Sequence, residues 1–423
     1  MATAQKTVTD ICAEAKVASR QLGLLDSETK NRALNAIADA LDAQADQIVA
    51  ANAKDLEAGR ENKLEAALMD RLMLDHGRLA SIADDVRKIA TLEDPVGRLI
   101  REFRLYNGLD VRKIAVPLGV IAVVYEARPN VTIDAAALCL KSGNAIVLRG
   151  SSIATNSNAV LAQVARDAIA SAGVPEAAIS IVNGGDRDEL RDLATQEGVI
   201  DLIIPRGGEG LKHALKSVAT VPVIYAAAGN NHVYVDASAN LDWAEEIVVN
   251  AKVQRPGVCN AAETLLVHED IAKEFLPRVL KRLEAEGVEL RADAQARALA
   301  GVDAGEIAAV EDADWDTEYL ALILAVRVVD SVDTAIEHVN LHGTGHSEAI
   351  VTDSNTAAHK FTTQIDAACV YVNASTRFTD GGEFGLGAEI GNSTQKLHAR
   401  GPIALRELCS YKYVVEGDGQ VRS

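Results

Sequence analysis

A cysteine stands inside a turn-forming stretch at residues 254–264, Gln-Arg-Pro-Gly-Val-Cys-Asn-Ala-Ala-Glu-Thr. Cys259 lies between Pro256-Gly257 and Asn260, near the cation Arg255 and just ahead of the strand-like run Glu263 to His268. A thiol is a useful nucleophile only when it is accessible and held as thiolate, and a turn with a cation and backbone donors provides both. The alternative is packing as a small hydrophobe, and the local residues leave both readings open for Cys259. Cys139, Cys369 and Cys409 fall in apolar strand or helix patterns and Cys12 on an amphipathic helix, so packing is expected for those four. Five cysteines is an odd count, and no Cys-x-x-Cys occurs. That argues against a disulfide framework or a zinc site and for a reducing compartment.

A second candidate is Pro-Arg-Gly-Gly-Glu-Gly at 205–210, between a strand and a helix. There is no Walker A motif and no G-x-G-x-x-G, so Arg206, Gly207 and Gly208 form the nearest thing to a phosphate-holding helix start. The other reading is a plain strand-to-helix turn. His338, His342 and His346 repeat at i, i+4. Gly343 and Gly345 should break any helix there, and no carboxylate follows at a ligand spacing, so no metal is expected.

The elements that must position these residues are legible from periodicity. Residues 7–90 read as helices, with apolar positions such as Leu34, Ile37, Ala38 and Leu41 at helical spacing. Asn107-Gly108 predicts a tight hairpin turn with positive φ at both positions. The long β run from Val111 to Tyr125 contains Pro117 and Gly119, implying an edge or a bend. From 120 to 225 strands (121–126, 145–149, 178–183, 201–205, 221–225) alternate with helices (132–140, 157–172, 190–197, 210–218). Continuous apolar strands separated by helices predict a parallel, Rossmann-like sheet covered on both faces. A second α/β set follows, with strands at 233–236, 263–268, 325–330, 348–352 and 369–373 and a helix at 270–285. The strand-like 411–416 looks suited to pairing with another sheet or subunit.

Composition bounds the function. The 423 residues carry 61 Asp+Glu against 42 Lys+Arg, a formal charge of −19. Such a surface repels phosphate backbones and anionic lipid, which excludes nucleic-acid and membrane binding as the main task. The longest purely apolar stretch, Ile114 to Tyr125, is too short to span a bilayer. Residues 1–20 lack a continuous apolar core, so no signal peptide and a cytoplasmic location are expected.

Six segments, in order along the chain, carry a specific resemblance. They are VPLGVIAVVYEARPNVTIDAAALCLKSGNAIVLRG (116–150), IIPRGGEGL (203–211), AAGNNHVYVD (227–236), QRPGVCNAAET (254–264), VDTAIEHVNLHGTGHSEAIVT (332–352) and YVNASTRFTDGGEFGLGAEIGNSTQKLHARGP (371–402). The chain resembles the aldehyde dehydrogenase superfamily, and within it the branch that reduces gamma-glutamyl phosphate. The runs 342–348 and 373–377 are particular to that branch.

The resemblance implies an α/β fold with a Rossmann-like cofactor domain (1–105 and 125–226, with 377–400 returning to it), a catalytic domain (227–376) and a small β oligomerisation element (106–124 and 401–423). It implies that the Cys259 thiolate attacks L-glutamyl 5-phosphate and expels phosphate. The thioester then takes hydride from NADPH and leaves as L-glutamate 5-semialdehyde, a step of proline biosynthesis. Asn130 and the Cys259 amide are the implied oxyanion donors; the superfamily's usual oxyanion Asn falls a few residues earlier, where this chain has Glu126-Ala127-Arg128. Hydrolytic relatives place a general-base Glu where this chain has Tyr225-Ala226-Ala227-Ala228, and its absence suits a thioester that must survive. NAD-preferring relatives place a Glu where this chain has Gly150-Ser151-Ser152 after Arg149, so Arg149, Ser151 and Ser152 are expected to take a 2′-phosphate; otherwise Arg149 only caps its strand. Glu318 matches the Glu that holds the nicotinamide ribose. Arg255 is expected to neutralise the departing phosphate, and Arg377, with Asn373 and Ser375, to clamp the substrate's α-carboxylate. A homodimer or larger homo-oligomer is expected from an unpaired hairpin and tail, and docking with glutamate 5-kinase would suit a labile intermediate. The competing reading is an acylating relative that uses an acyl-CoA or a simple aldehyde.

Overall fold

The structure is a computed structural model that describes residues 6–182, 186–225, 228–301 and 307–422. It divides into two compact units, one of residues 1–225, 385–391 and 403–423, the other of 226–384 and 392–402. Of the 377–400 stretch, only 385–391 groups with the first unit.

The first unit opens with five helices, α1 (Val8–Leu22), α2 (Ser27–Ala43), α3 (Ala45–Glu61), α4 (Ala66–Leu72) and α5 (His76–Thr91). Side chains that satisfy orphan amides start three of them: Thr7 in a reciprocal box with Asp10, Asp26 on Thr29 and Asp75 on Arg78. Leu34, Ile37, Ala38 and Leu41 are fully buried on one face of α2. Strands β1 (Leu99–Arg104) and β2 (Asp110–Pro117) then form an antiparallel hairpin. Its turn differs from the two-residue type expected. Leu105 donates to Leu109, Gly108 donates to Leu105, and only Gly108 has positive φ, at +86°. A type I turn closed by a left-handed glycine needs positive φ at one position, so Asn107 keeps an ordinary backbone.

Gly119, at φ +130°, bends the chain out of that sheet into β3 (Val120–Tyr125). Alternation continues through α6 (Val131–Lys141), β4 (Ala145–Gly150), α7 (Thr155–Ser171), β5 (Ile179–Val182), α8 (Arg187–Ala194), β6 (Leu202–Arg206) and α9 (Glu209–Val218). The parallel sheet has four strands in the order β5-β4-β3-β6, with Val124 opposite Arg149 and Tyr125 opposite Arg206. The fifth strand expected at 221–225 is absent. Ile203 makes only a single bridge to Val223, donating to Pro222 and accepting from Ile224. Proline has no N–H to extend a ladder. Asn183, placed at the end of the third strand by the sequence, lies outside the described residues.

The second unit carries a seven-stranded sheet. Its elements are β7 (Asn231–Val235), α10 (Leu241–Val253), β8 (Ala262–His268), α11 (Glu269–Ala285), β9 (Glu289–Ala292), α12 (Ala294–Leu299), β10 (Ala308–Ala309), β11 (Ile323–Val329), α13 (Val332–His342), β12 (Ser347–Val351), α14 (Asn355–Gln364) and β13 (Cys369–Val372). The strand order is β10-β9-β11-β8-β7-β12-β13, and every pairing is parallel. Alternate strand residues such as Val233, Leu265 and Val326 enter one core with Phe275 and Val279 of α11, while Tyr234 and Leu266 enter the opposite one with Phe361. A short ladder joins β14 (Asn392–Ser393) to β15 (Gly401–Pro402).

The chain ends, in the first unit, with β16 (Cys409–Glu416), which pairs along the whole of β2. The hairpin and the C-terminal strand, expected to form one small β element, pair with each other within the chain.

Candidate active site

Cys259 sits in the turn between α10 and β8 and is half-buried, whereas the other four cysteines are buried. Burial pushes the Cys12 and Cys409 thiols up to about 12 and raises Cys139 as well, which keeps them protonated and inert.

The Cys259 turn is held by its main chain. The Asn231 side-chain amide donates to the carbonyls of Cys259 (2.9 Å) and Ala261 (2.6 Å). Gly229 passes so close that a Cβ there would overlap the Cys259 carbonyl. Its N–H donates to Glu318 Oε1 at 2.6 Å. On the other side Asn260 donates to the carbonyls of Thr379 (2.9 Å) and Arg377 (3.3 Å), and Thr376 Oγ1 donates back to the Asn260 carbonyl (2.7 Å). Beneath the turn, Lys252 and Glu263 form a fully buried ion pair at 2.5 Å, joining the last turn of α10 to the start of β8. Burial raises the Glu263 carboxyl to about 7, against the pull of Lys252. Glu263 also accepts the Leu320 N–H at 3.3 Å, which ties in the segment that carries Glu318.

Arg377 lies within electrostatic reach of both Arg255 and Cys259. Burial holds the Arg377 guanidinium below its usual range; the nearby Arg255 cation pushes the same way, while Asp380 and Cys259 oppose it. Arg377 Nε donates to Gln254 Oε1 at 2.8 Å. Two guanidiniums within electrostatic reach of one another and of a thiol suit an anionic leaving group or carboxylate. Asn373 and Ser375 are engaged in building the turn. Asn373, at φ +56°, exchanges two 2.9 Å bonds with the Thr352 backbone, and Ser375 Oγ accepts the Arg377 N–H at 3.3 Å.

The residues expected to meet a cofactor lie at or near the ends of the first unit's parallel strands, where such sheets bind ligands. Arg149 ends β4. Its Nη2 donates to the Asp186 carbonyl at 2.8 Å, but its buried Nε has no hydrogen-bond partner, and neither has Ser151 Oγ. Burial lowers the Arg149 pKa, with Glu189 and Asp186 opposing. Two buried polar groups without partners at one strand end fit a phosphate. The glycine-rich loop is different. The Gly208 N–H, at the start of α9, donates to Glu126 Oε2 at 3.0 Å, and a Cβ on Gly207 would stand 2.7 Å from the Glu126 carboxyl carbon. Because Tyr125 pairs with Arg206, the residue after β3 lands on the loop after β6. The chain's own carboxylate thus occupies the amide expected to face an external anion. Asn130 donates to Asp134 at 2.8 Å, and burial pushes the Asp134 carboxyl up to about 6.

Among the described residues no group of three or more His, Cys, Asp or Glu is placed to hold a metal ion. α13 ends at His342, before Gly343. Sequence reasoning missed Gly229, Asn231, Glu126 and the Lys252–Glu263 pair. The adjacent Asn230-Asn231 was the only visible signal, since polar residues ahead of an apolar strand need partners. Ala226 and Ala227, at the position of the missing base, lie outside the described residues.

The chain matches the model of the aldehyde dehydrogenase family over residues 1–314 and 308–414. It is 52% identical to the gamma-glutamyl phosphate reductase of Thermobifida fusca over 422 residues, covering 100% of both chains. It is equally 52% identical to that of Caldanaerobacter subterraneus subsp. tengcongensis, over 97% of this chain and 98% of the other. The crystal structure of the gamma-glutamyl phosphate reductase of Thermotoga maritima superposes with a TM-score of 0.96 at 44% identity, covering 99% of this chain and 100% of that one. An acetylating aldehyde dehydrogenase of Geobacillus thermoglucosidasius shares the fold, with a TM-score of 0.70 at 20% identity over 98% and 97% of the two chains. With its Cys259 turn, its two α/β units and these relatives, the chain belongs to the aldehyde dehydrogenase family, in the gamma-glutamyl phosphate reductase branch.

Proposed function

We propose that this protein reduces L-glutamyl 5-phosphate to L-glutamate 5-semialdehyde with release of phosphate, as a step of proline biosynthesis, through a thioester on Cys259. The observation that carries the reading is the immobilised Cys259 turn with Arg255 and Arg377 beside it. The thiolate attacks the acyl carbon, the bond from that carbon to the phosphate oxygen breaks, and phosphate leaves with Arg255 and Arg377 offsetting its charge. The oxyanion formed is assigned to the Cys259 N–H, with Asn130 as the second donor. No carboxylate stands at 225–228 to activate water, so the thioester is spared hydrolysis.

Members of this family use a nicotinamide cofactor, which when bound supplies the hydride. NADPH rather than NADH is the proposed form, supported by the unpartnered Arg149 Nε and Ser151 Oγ, with Ser152 beside them. Arg206 is assigned to the same cofactor and Glu318 to its nicotinamide ribose, while the Gly208 amide is taken by Glu126. Asn373 and Ser375 are assigned to shaping the turn that carries Arg377. A homo-oligomer and an encounter with glutamate 5-kinase complete the proposal. Among the described residues no helix is long and apolar enough to cross a membrane.

The test runs the reaction backwards, following phosphate-dependent NADP reduction with glutamate semialdehyde. Inorganic phosphate should be required, NADP should outperform NAD, and Cys259→Ser should lose about three orders of magnitude or more in turnover. A requirement for CoA in place of phosphate, or full turnover in Cys259→Ser, overturns the reading.

A further inference from the structure

The second unit contains a cavity of about 380 Å³, bounded by the end of α13, the loop at 343–345, the stretch at 365–367 and the segment at 394–400. Its lining draws on the branch-specific run 342–348, which the thiol chemistry leaves without a task. Glu348 forms part of the wall and is 1% exposed. Its Oε2 accepts the His232 N–H at 2.7 Å and lies 3.0 Å from His232 Nδ1, whereas Oε1 has no partner. A buried carboxylate oxygen without a donor is costly, so a donor brought by a ligand would relieve it. Gly343 packs directly against that oxygen: a Cβ there would stand 2.9 Å from Oε1 and 2.5 Å from the Val339 carbonyl oxygen, so no side chain fits at this position. Also in the lining, Lys396 and Arg400 share one carboxylate, Asp366, at 2.5 and 2.8 Å. Two cations against one acid leave a positive charge unmatched. Val339, Ile365 and Ala367 supply apolar wall.

A half-satisfied buried acid, whose pKa burial raises against the pull of His232, and a surplus cation around apolar wall complement an ammonium and a carboxylate on a short carbon frame. A lone anion would meet Glu348, and a lone cation would meet Lys396 and Arg400, so a zwitterion is the ligand that preserves local neutrality. We propose that this cavity binds an α-amino-acid head group, with its ammonium towards Glu348 and its carboxylate on Lys396 and Arg400.

The head could belong to the glutamyl substrate or to a free amino acid. β12 starts just after the cavity loop and β8 just after Cys259, with only β7 between these parallel strands. At about 4.8 Å per strand, the two starts lie roughly 10 Å apart on one edge of the sheet. The substrate source rests on the proposed function; the free amino acid does not.

Calorimetric titration of the full chain with L-glutamate, against N-acetyl-L-glutamate as the form without an ammonium, reads the site directly. L-Glutamate should bind, the acetylated form should not, and Lys396→Met and Glu348→Gln should each weaken binding about tenfold or more. Lys396 has a 66% exposed side chain, so Lys396→Met tests the site even where Glu348→Gln fails to fold. Kinetics separate the two sources. A KM for glutamate semialdehyde that rises about tenfold in Lys396→Met, with butanal turnover unchanged, supports the substrate head. Lost glutamate binding with an unchanged KM supports a separate amino-acid site. The proposal is overturned if Lys396→Met alters neither glutamate binding nor the KM. A wild type that binds glutamate but shows no phosphate-dependent turnover would instead overturn the proposed function and leave the cavity assignment standing.

Discussion

Gly229 matters for the side chain it lacks. A Cβ there would overlap the Cys259 carbonyl, backbone against backbone, so no rotamer change can relieve it. Gly229→Ala should displace the Cys259 turn and, on the proposed mechanism, lower turnover by about tenfold or more while far-UV circular dichroism stays the same; full activity in Gly229→Ala would show that the turn tolerates displacement. His346 poses a titration problem. It is 1% exposed, its Nε2 has no partner, and burial lowers its pKa to about 4. An unfolded histidine titrates near 6.5. Above that pH both states are neutral and the contribution to stability is complete. As pH falls from 6.5 through 4 the unfolded chain takes a proton that the folded chain refuses, and about 3 kcal/mol is lost. His346→Gln should therefore flatten part of the decline in Tm between pH 6.5 and 4, and an unchanged slope rejects the assignment. Cys259 was legible because its own neighbours, Pro256, Gly257 and Arg255, mark an accessible turn. Gly229 and Asn231 were not, because their partner lies 28 or more positions along the chain.

The elements around the site are joined by charge as well as by ladders. Lys252 closes α10 and Glu263 opens β8, and neither side chain is exposed. Removing one partner strands a buried charge, so Lys252→Met should cost about 3–5 kcal/mol, and adding Glu263→Leu should recover much of it. Denaturant midpoints of the two variants decide this; equal midpoints would mean that the pair adds little. Most strands could be placed from sequence because parallel strands buried on both faces are unbroken apolar runs. The stretch 221–225 shows the limit of that signal. It is apolar and β-branched, yet Pro222 removes a donor and only one bridge forms. Turn chemistry has a similar limit: Asn107-Gly108 predicted the hairpin correctly but not its type, because several turns join the same two strands.

At the scale of the whole molecule, the formal charge of −19 describes the surface and not the site. Arg377 feels both Arg255 and the Cys259 thiol, while Arg87, Arg278 and Arg282 are each paired with carboxylates on exterior helices. The sheet of β1, β2 and β16 shows Leu99, Ile100, Tyr411, Tyr413 and Val415 to solvent. Alternation puts the last three on one face. A self-associating sheet of this kind should give a light-scattering mass of at least twice 44.8 kDa, and Tyr413→Glu should lower it. A monomeric wild type would remove the oligomer from the proposal.

The linear chain by itself determined the class of chemistry and the order of the elements. The element order depends on neighbours in sequence, since periodicity marks helices and strands, whereas the chemistry was carried by six segments that resemble the aldehyde dehydrogenase superfamily. Tertiary structure decided what holds that thiol and what competes for the anion sites. Gly229, Asn231, Lys252 and Glu263 converge on one turn only after the strands align, and Glu126 reaches the Gly208 amide only because β3 pairs with β6. The same pairing logic closed the hairpin and tail on each other, since hydrogen-bonded ladders join residues that sequence distance keeps apart.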